Sequence, residues 1–404
     1  MQLDLFCASA PGLEPLLLAE VRALGLEGRA EPGGVALTGD LEVLARLNLW
    51  LRTASRVLVR LGSFEAKRFP ELVHKAAMLP FGRVLRRGQP VALRVTCRKS
   101  KLYHSDAVAE RVHAALEAKL GGACPLVSRA AGASAGDEDE GGDADAIPDR
   151  AGAPATGSAP PQLLLVRFDH DVCTVSADAS GELLHRRGYR THLSQAPLRE
   201  TLAAALLLAA GYRGGGLVDP CCGGGTIPIE AALITLGCAP GLARAFAFER
   251  WPGHDAKLLA RLRVAARRAE AQDPLGLAGS IHGSDVDPRA IEAARANAER
   301  AGVAALVRFE VRPLQELQAP RGLDGAPIEA GLLACNPPYG KRVGEGHDLH
   351  ALYAALGAAA RAALPGWRAA LICADPALAA ATGLGLAERF QTQNGGTPVT
   401  IFGQ

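Results

Sequence analysis

Residues 217 to 230 read Leu-Val-Asp-Pro-Cys-Cys-Gly-Gly-Gly-Thr-Ile-Pro-Ile-Glu. An apolar strand ends at Asp219, three consecutive glycines form a turn, and an apolar helix follows. Glycine permits positive φ angles and has no Cβ atom to keep a ligand away from the backbone. We expect Thr226 to cap the helix, where Pro228 is tolerated because first-turn amides lack partners. The pattern predicts an α/β fold with a ligand at the carboxyl end of this strand, although a turn that only joins strand to helix remains the alternative.

The loop lacks residues that two common nucleotide-binding motifs require. A nicotinamide dinucleotide site needs a third glycine three residues after the second and an acid about 20 residues later. Pro228 stands at that glycine position, and the next acid at a suitable strand end is Asp285. A phosphate-binding P-loop needs Gly-Lys-Ser or Gly-Lys-Thr, and no lysine lies near this turn. We therefore interpret the loop as a cradle for a nucleoside that carries no phosphate.

A second strand and turn, residues 331 to 342, read Gly-Leu-Leu-Ala-Cys-Asn-Pro-Pro-Tyr-Gly-Lys-Arg. Each proline fixes its own φ and restricts the residue before it, so Pro337 and Pro338 make the segment stiff. Asn336 Oδ1 and the Pro337 carbonyl can accept the two N–H bonds of an exocyclic amine on a planar base, while Tyr339 stacks on the ring. We predict that these four residues form the catalytic segment. A purely structural turn is the alternative, but it needs neither the amide nor the aromatic ring.

The two stretches together resemble the motifs of S-adenosylmethionine-dependent class I methyltransferases that modify exocyclic amino groups of nucleic acid bases. The whole chain resembles one branch of them, the bacterial RNA guanine-N2 methyltransferases that carry a THUMP domain and act on large-subunit ribosomal RNA. The resemblance implies methyl transfer from S-adenosylmethionine to the exocyclic N2 of a guanosine in 23S rRNA. Asp285 is expected to accept the ribose hydroxyls of the cofactor. The cofactor-binding residues implied are Thr201, Asp219, Pro220, Cys221, Gly223, Gly225, Thr226, Asp285 and Asn336.

The length of 404 residues exceeds one compact core, so two or three domains are expected. The resemblance implies a Rossmann-like, seven-stranded class I methyltransferase domain at residues 181–404, preceded by α+β domains. These are predicted to be a ferredoxin-like domain at residues 1–62 and a THUMP-like RNA-binding domain at residues 63–180. Residues 128–161 consist largely of Ala, Gly, Ser, Pro and acids, which predicts a disordered insertion.

The net charge of +2 conceals a basic region. Residues 50 to 120 contain fifteen Lys or Arg against five Asp or Glu, a net charge of +10. This excess favours polyanion binding, although an ordinary arginine-rich protein is the alternative. We predict that clusters of basic and aromatic residues bind RNA, with cations on phosphates and tyrosine as a stacking face; solvated loop charge is the alternative. The predicted RNA-binding residues are Arg98, Lys99, Lys101, Tyr103, Arg186, Arg187, Tyr189, Arg190, Lys341 and Arg342.

Cysteine, histidine and hydrophobic patterns indicate the expected environment. The nine cysteines form no C-x-x-C pair and the ten histidines form no ligand cluster, which predicts reduced thiols, a cytoplasmic protein and no metal site. No charge-free run of about 20 apolar residues occurs, so no membrane span is expected. The N-terminus lacks the basic region of a signal peptide. No obligate protein partner is implied.

Three features of the last hundred residues refine this interpretation. The third strand, residues 307–311, is followed by Arg312-Pro313, where family members usually place an acid that contacts adenine. A backbone carbonyl or Glu316 would have to replace that contact. Asn394-Gly395 lies between two β-rich runs and predicts a hairpin. Some family members carry a second methyltransferase domain after this one, so a chain ending at Gln404 is expected to make one modification.

Three rival functions remain open at this stage. Related THUMP enzymes modify transfer RNA, and the sequence does not identify which guanosine is the target. Asn-Pro-Pro-Tyr also serves adenine-N6 methylation of DNA, against which a THUMP-like domain argues. A non-catalytic RNA-binding factor that has lost its cofactor is the third. Intact Asp219, Gly223, Gly225 and Asn336 argue against it, and binding of S-adenosylmethionine would test it.

Overall fold

The computed structural model describes residues 2–127, 160–190, 198–268, 280–322, 325–339 and 348–404. Within these ranges the chain forms two sheets of seven strands each. The insertion predicted at residues 128–161 lies outside the described residues except for its last two positions. In the described ranges, no helix is both long enough and apolar enough to cross a membrane.

The first sheet is built from the N-terminal part of the chain. Its strands are β1 (Leu3–Ser9), β2 (Arg29–Glu31), β3 (Gly34–Gly39), β4 (Ala54–Glu65), β5 (Val91–Arg98), β6 (Gln162–Asp169) and β7 (Val172–Asp178). Its helices are α1 (Glu14–Ala23), α2 (Leu41–Trp50), α3 (Phe69–Ala76) and α4 (Ser105–Leu120). The strand order is β2-β3-β1-β4-β7-β6-β5. Buried residues alternate along β1 and β6, because successive side chains of a strand point to opposite faces.

Strand β4 runs through both of the predicted N-terminal domains. It pairs antiparallel with β1 from Ala54 to Arg60 and with β7 from Leu58 to Glu65. The predicted boundary after residue 62 therefore lies inside a strand. A single hydrophobic cluster also extends from β1 to β6 across this boundary. The division of the first sheet into two domains stays a prediction.

The second sheet contains the glycine loop. Its strands are β8 (Gly216–Asp219), β9 (Ile281–Asp285), β10 (Val307–Val311), β11 (Gly331–Cys335), β12 (Arg368–Cys373), β13 (Ala387–Asn394) and β14 (Thr397–Gly403). Helices α5 (Glu200–Ala209), α6 (Thr226–Thr235), α7 (Ala256–Arg268), α8 (Pro288–Arg300), α9 (Leu349–Ala363) and α10 (Pro376–Ala381) follow in chain order. The order is β10-β9-β8-β11-β12-β14-β13, with β8 to β12 parallel and β14 antiparallel between β12 and β13. The predicted α/β fold with a seven-stranded Rossmann-like sheet is confirmed.

The last two strands form the predicted hairpin. Asn394 pairs with Thr397, so the turn is Gly395-Gly396, with φ angles of +58° and +85°. Two positive φ angles are typical of a type I′ turn, which only glycine and a few polar residues adopt readily. Asn394 therefore belongs to the strand and not to the turn.

Residues 239–268 follow α6 in sequence but pack on the first sheet. Phe248 and Trp251 belong to the hydrophobic cluster of that sheet, and Trp251 Nε1 donates to Gln162 Oε1 at 2.8 Å. The guanidinium of Arg244 donates to four backbone carbonyls of residues 180–186. Residues 239–268 therefore attach the chain that follows α6 to the first sheet.

Candidate functional site

Three polar residues lie at the carboxyl edge of the second sheet. Strand β8 pairs with β11 on one side, Val218 opposite Leu333, and with β9 on the other, Asp219 opposite Gly283. All three strands are parallel, so their carboxyl ends lie at one edge. Asp219 ends β8, Asp285 ends β9 and Asn336 follows β11. Ligands bind at this edge in open α/β sheets, where strand order reverses.

The glycine loop between β8 and α6 has the conformation that its sequence predicts. Gly223 and Gly225 have φ angles of +50° and +82°. A Cβ atom on Gly223 would meet nothing within 4 Å, so space lies open beside the backbone there. A Cβ atom on Gly225 would lie 2.8 Å from Phe309 Cζ, because the loop packs tightly on β10 at this point. Gly223 thus leaves room for a ligand, whereas Gly225 permits packing.

The capping role predicted for Thr226 is wrong. Gly225 is the N-cap of α6, in the left-handed region, and no side chain caps the helix. Thr226 is the first residue of the helix and is buried. Its Oγ1 accepts a hydrogen bond from Arg190 Nη2 at 2.6 Å.

The two carboxylates of the edge lie in different surroundings. Asp219 is 1% exposed and accepts one hydrogen bond, from Cys221 N at 3.1 Å. Burial raises the pKa of the Asp219 carboxyl well above its usual range, and the nearby charge of Asp285 raises it further. Asp285 is partly exposed and accepts from Gly223 N through Oδ2 and from Asp287 N through Oδ1, both at 3.0 Å. A carboxylate has about four acceptor positions, so Asp285 retains two for a ligand.

Helix α8 begins at Pro288, shortly after Asp285. Asp287 is its N-cap and accepts from Arg289 N at 2.9 Å. Residues Arg312 and Pro313 follow β10, and Arg312 Nη2 lies 2.6 Å from Glu310 Oε2. Glu316 is exposed, at the end of a short 3-10 helix. No contact in the described part of the chain identifies the residue that would recognise adenine.

Asn336 presents an acceptor without a partner. Its Oδ1 is buried, and no hydrogen-bond donor reaches it in the described part of the chain. Pro337 is buried, and the Pro338 carbonyl accepts from Tyr353 Oη at 3.3 Å. Buried polar groups are nearly always hydrogen-bonded in proteins, and an exception calls for an explanation such as a missing ligand. A ligand N–H group would satisfy this oxygen.

The aromatic ring of Tyr339 is held from the hairpin. Its hydroxyl accepts from Asn394 Nδ2 at 3.0 Å, and burial raises the pKa of Tyr339. The sequence did not predict this contact, because Asn-Gly was interpreted only as a turn signal. Because the turn consists of Gly395 and Gly396, Asn394 is the last residue of β13, and its side chain can contact Tyr339.

The basic loop between β5 and α4 lies on the surface of the first sheet. Arg98, Lys99, Lys101 and Tyr103 are exposed, Tyr103 by 67%. Asp171, in the turn between β6 and β7, holds the loop: its Oδ1 accepts from Lys101 N at 2.7 Å. The predicted cluster is therefore presented on an ordered support.

The second predicted RNA-binding cluster is mostly interior, which corrects part of the sequence interpretation. Arg187 and Tyr189 are each 4% exposed. Arg187 Nε lies 3.5 Å from Glu230 Oε1, and Tyr189 Oη donates to the same oxygen at 3.2 Å. These two side chains face the protein and offer no surface to RNA. Basic and aromatic composition did not distinguish a buried ion-pair cluster from a surface one.

The remaining predicted residues occupy varied positions. Arg190 is partly buried against Glu200 and Thr226, and Arg186 is partly exposed. Thr201 is partly buried in the first turn of α5. The predicted RNA contacts Lys341 and Arg342 lie outside the described residues. In the described ranges, no group of three or more His, Cys, Asp or Glu side chains is arranged to hold a metal ion.

Comparisons with known sequences identify two segments of the chain. A family model described as "RMKL-like, methyltransferase domain" matches residues 187–401, and one described as "RlmL ferredoxin-like domain" matches residues 4–58. Curated relatives include proteins named ribosomal RNA large subunit methyltransferase K/L. The one from Syntrophotalea carbinolica is 39% identical over 96% of this chain and 52% of its own length. The one from Methylococcus capsulatus is 34% identical over 100% of this chain and 51% of its own. The chain thus spans about half the length of these relatives.

Solved structures resemble the chain throughout its length. SMU.472, crystallised in complex with SAH, has a TM-score of 0.81 at 29% identity and covers 100% of this chain and 97% of its own. A possible methylase from Clostridium difficile has a TM-score of 0.82 at 30% identity, and the match covers 100% of this chain and 98% of that protein. A Listeria monocytogenes protein described as a predicted N6-adenine-specific DNA methylase has a TM-score of 0.82 at 29% identity. The match covers 100% of this chain and 96% of that protein. Because the methyltransferase-domain model matches more than half of the chain, the chain belongs to the RMKL-like methyltransferase family.

Proposed function

We propose that the protein transfers a methyl group from S-adenosylmethionine to the exocyclic N2 of a guanosine in 23S rRNA, in the bacterial cytoplasm. The observation that carries the proposal is the buried, unpartnered Oδ1 of Asn336 at the sheet edge that also carries the glycine loop. The family and the names of the curated relatives support methylation of ribosomal RNA.

The residues at the glycine loop fit S-adenosylmethionine. Space beside Gly223 admits a ligand against the backbone, and Asp285 retains acceptor positions for ribose hydroxyls. Asp219 is a buried carboxyl that accepts a hydrogen bond from Cys221 N, and its pKa is raised by burial, so a cationic ligand would stabilise its ionised form. SMU.472 binds SAH, the product form of this cofactor, at 29% identity. When bound, the cofactor supplies an electrophilic methyl group.

The Asn336 segment would hold and orient the base. The guanine amine is a poor nucleophile because its lone pair is delocalised into the ring. Asn336 Oδ1 and the Pro337 carbonyl can accept its two N–H bonds, which directs the lone pair away from the acceptors. Positioning and fixed dipoles would then supply most of the acceleration, without a strong base. Tyr339 would stack on the extruded base and offset part of the cost of unstacking.

RNA would reach this edge from the first sheet. The exposed loop carrying Arg98, Lys99, Lys101 and Tyr103 offers cations for phosphates and a ring for stacking. Arg186, Lys341 and Arg342 are proposed to add phosphate contacts nearer the site. Transfer RNA would present the same chemistry, so this surface does not distinguish the two RNA classes.

Methylation of adenine N6 in DNA is the second candidate function. It is favoured by the full-length similarity to the Listeria monocytogenes protein, and Asn336 could hold that amine equally well. The relatives that are named for ribosomal RNA and the basic loop favour RNA.

Nucleoside mapping tests the proposal. Unmodified bacterial 23S rRNA transcript, transfer RNA and double-stranded DNA are each incubated with the protein and isotopically labelled S-adenosylmethionine, then digested and analysed by mass spectrometry. We expect labelled N2-methylguanosine from the ribosomal transcript alone. A transcript with inosine at the mapped position lacks the N2 amine and should remain unlabelled. Labelled N6-methyladenine, or label in the inosine transcript, would contradict the assignment.

A further inference from the structure

Two series of hydrogen bonds, called relays below, connect Tyr189 and Arg190 to the glycine loop. The first starts at Arg190, eight residues before Leu198. Its Nη2 donates to Thr226 Oγ1 at 2.6 Å and to the Leu198 carbonyl at 2.7 Å, while Nε lies 3.3 Å from Glu200 Oε1. Thr226 directly follows Gly225, so this relay holds the carboxyl side of the loop.

The second relay reaches the loop through helix α8. Arg300 Nε donates to the Tyr189 carbonyl at 2.7 Å, and its Nη2 donates to Asn297 Oδ1 at 2.5 Å. Asn297 Nδ2 then donates to the Gly224 carbonyl at 2.9 Å. Adjacent residues, Tyr189 and Arg190, thus anchor both relays.

The position of Asn297 is unusual for a polar residue. It is 1% exposed and lies on the buried face of α8, with Ile291 and Ala294. Burial of an amide is unfavourable unless its hydrogen bonds are made, and here both ends are used, one of them on the loop. A polar residue within an otherwise apolar helix face was the sequence signal for this contact.

The two sides of the loop are held by different parts of the protein. Strand β9 holds the amino side, because Cys222 N donates to the Ser284 carbonyl at 2.9 Å and Gly223 N donates to Asp285 Oδ2 at 3.0 Å. The carboxyl side contains the positive-φ residue Gly225, whose N donates to the Cys222 carbonyl at 2.8 Å. Glycine loses more conformational freedom than any other residue when it is ordered. External hydrogen bonds on Gly224 and Thr226 therefore reduce the cost of holding the loop ready for a ligand.

We propose that Arg190 and Asn297 are positioning residues for the cofactor loop, so that Tyr189 and Arg190, which follow the first sheet in the chain, support the cofactor site. This inference rests on the proposed function. Loss of one relay removes about one hydrogen bond from the loop, and a bond of this kind corresponds to roughly tenfold in affinity. It leaves the Asn336 segment and the basic loop untouched.

The test measures SAH affinity by calorimetry and 23S rRNA transcript affinity by filter binding in four proteins. These are the wild type, Asn297→Ala, Arg190→Lys, and the control Glu292→Ala, an exposed residue on the same helix. We expect about tenfold weaker SAH binding for Asn297→Ala, a smaller loss for Arg190→Lys, and none for the control. RNA affinity should be unchanged throughout. Steady-state kinetics should show a higher KM for the cofactor at unchanged KM for RNA.

The possible outcomes distinguish failure of the positioning role from failure of the proposed function. Absence of SAH binding by the wild type would remove the proposed function and the inference together. SAH binding by the wild type with equal affinity in folded Asn297→Ala and Arg190→Lys would overturn the inference alone, even if their Tm values fell. If Asn297→Ala does not fold, Arg190→Lys decides. Weaker RNA binding by Arg190→Lys at unchanged SAH affinity would show that Arg190 contacts RNA, as the sequence predicted, and would refute its positioning role.

Discussion

Replacing Trp251 tests whether residues 239–268, the segment that follows α6, hold the two sheets together. Its indole is 4% exposed, packs edge-on against Phe248 at a centroid distance of 6.5 Å, and donates to Gln162 Oε1 at 2.8 Å. Gln162 begins β6 of the first sheet, whereas Trp251 belongs to the segment that follows α6. Trp251→Ala removes the ring and leaves the Gln162 oxygen without its donor.

The two losses give the expected magnitude. Truncation of a buried tryptophan to alanine costs about 3–5 kcal/mol. An unsatisfied buried acceptor adds about 1–3 kcal/mol. Trp251→Phe keeps most of the apolar contact and loses only the N–H donor, so about 1–3 kcal/mol is expected. The alanine variant should therefore be at least about 2 kcal/mol less stable than the phenylalanine variant.

Urea unfolding followed by circular dichroism measures these differences, with the slope m compared between variants. At temperatures where the variants remain folded, the KM for RNA should rise in Trp251→Ala while SAH affinity stays at the wild-type value, because only the relation between the sheets has changed. A change of stability below about 0.5 kcal/mol in Trp251→Ala, the range of ordinary surface substitutions, would refute the packing argument. Weakened SAH binding in the folded variant would refute the separation of the two effects.

Three further predictions concern the buried carboxyl, the glycine loop and the basic loop. Burial raises the pKa of the Asp219 carboxyl from its ordinary value of 3.8, so its favourable contribution to folding is complete below pH 3.8 and is lost as pH rises towards the folded-state pKa. Unliganded Asp219→Asn should therefore have a higher Tm than the wild type at pH 7–8, with a difference that shrinks towards pH 4, and should bind SAH more weakly; an equal Tm at every pH would contradict this. Gly225→Ala places a Cβ atom 2.8 Å from Phe309 Cζ at a φ of +82°, so it should lose about 1–3 kcal/mol of stability in urea unfolding, whereas Gly223→Ala, with open space around its Cβ, should lose less stability and more SAH affinity. The double variant Lys99→Ala/Lys101→Ala should weaken RNA binding and reduce the slope of log affinity against log salt by roughly 1.4–1.8; an unchanged slope would show that the loop does not contact phosphates.

The second sheet could be predicted from the sequence because its signals are local. Apolar runs ending in Asp219, Asp285 or Asn336 give the strands, and residues 307–311 form a strand with the predicted bounds. Glycine and proline set the turns through their own φ angles, which act independently of the rest of the chain. The family resemblance supplied the number of strands, seven, which local signals do not contain, and the strand order came from the structure.

What the sequence did not predict depends on contacts between distant residues. Strand β4 is continuous because β1 and β7 share it, and its sequence has no sign of where one partner ends. In the sequence, Arg187 and Tyr189 resemble a surface cluster. In the structure they are buried against Glu230, which lies about 40 residues later in the chain. The sequence suggests that Asn394 is part of a turn. The register of β13 and β14 instead makes it a strand residue that contacts Tyr339. Each difference arises from a tertiary partner.

The most direct test of the account is the variant Asn336→Ala. If Asn336 Oδ1 holds the target amine, loss of the side chain should reduce the single-turnover rate on 23S rRNA by about 10²–10³-fold, as for removal of one transition-state hydrogen-bonding group. SAH affinity should fall far less than the rate, and Asn336→Asp, which keeps an acceptor, should retain more activity than the alanine variant. Methyl transfer at the wild-type rate by Asn336→Ala would contradict the account.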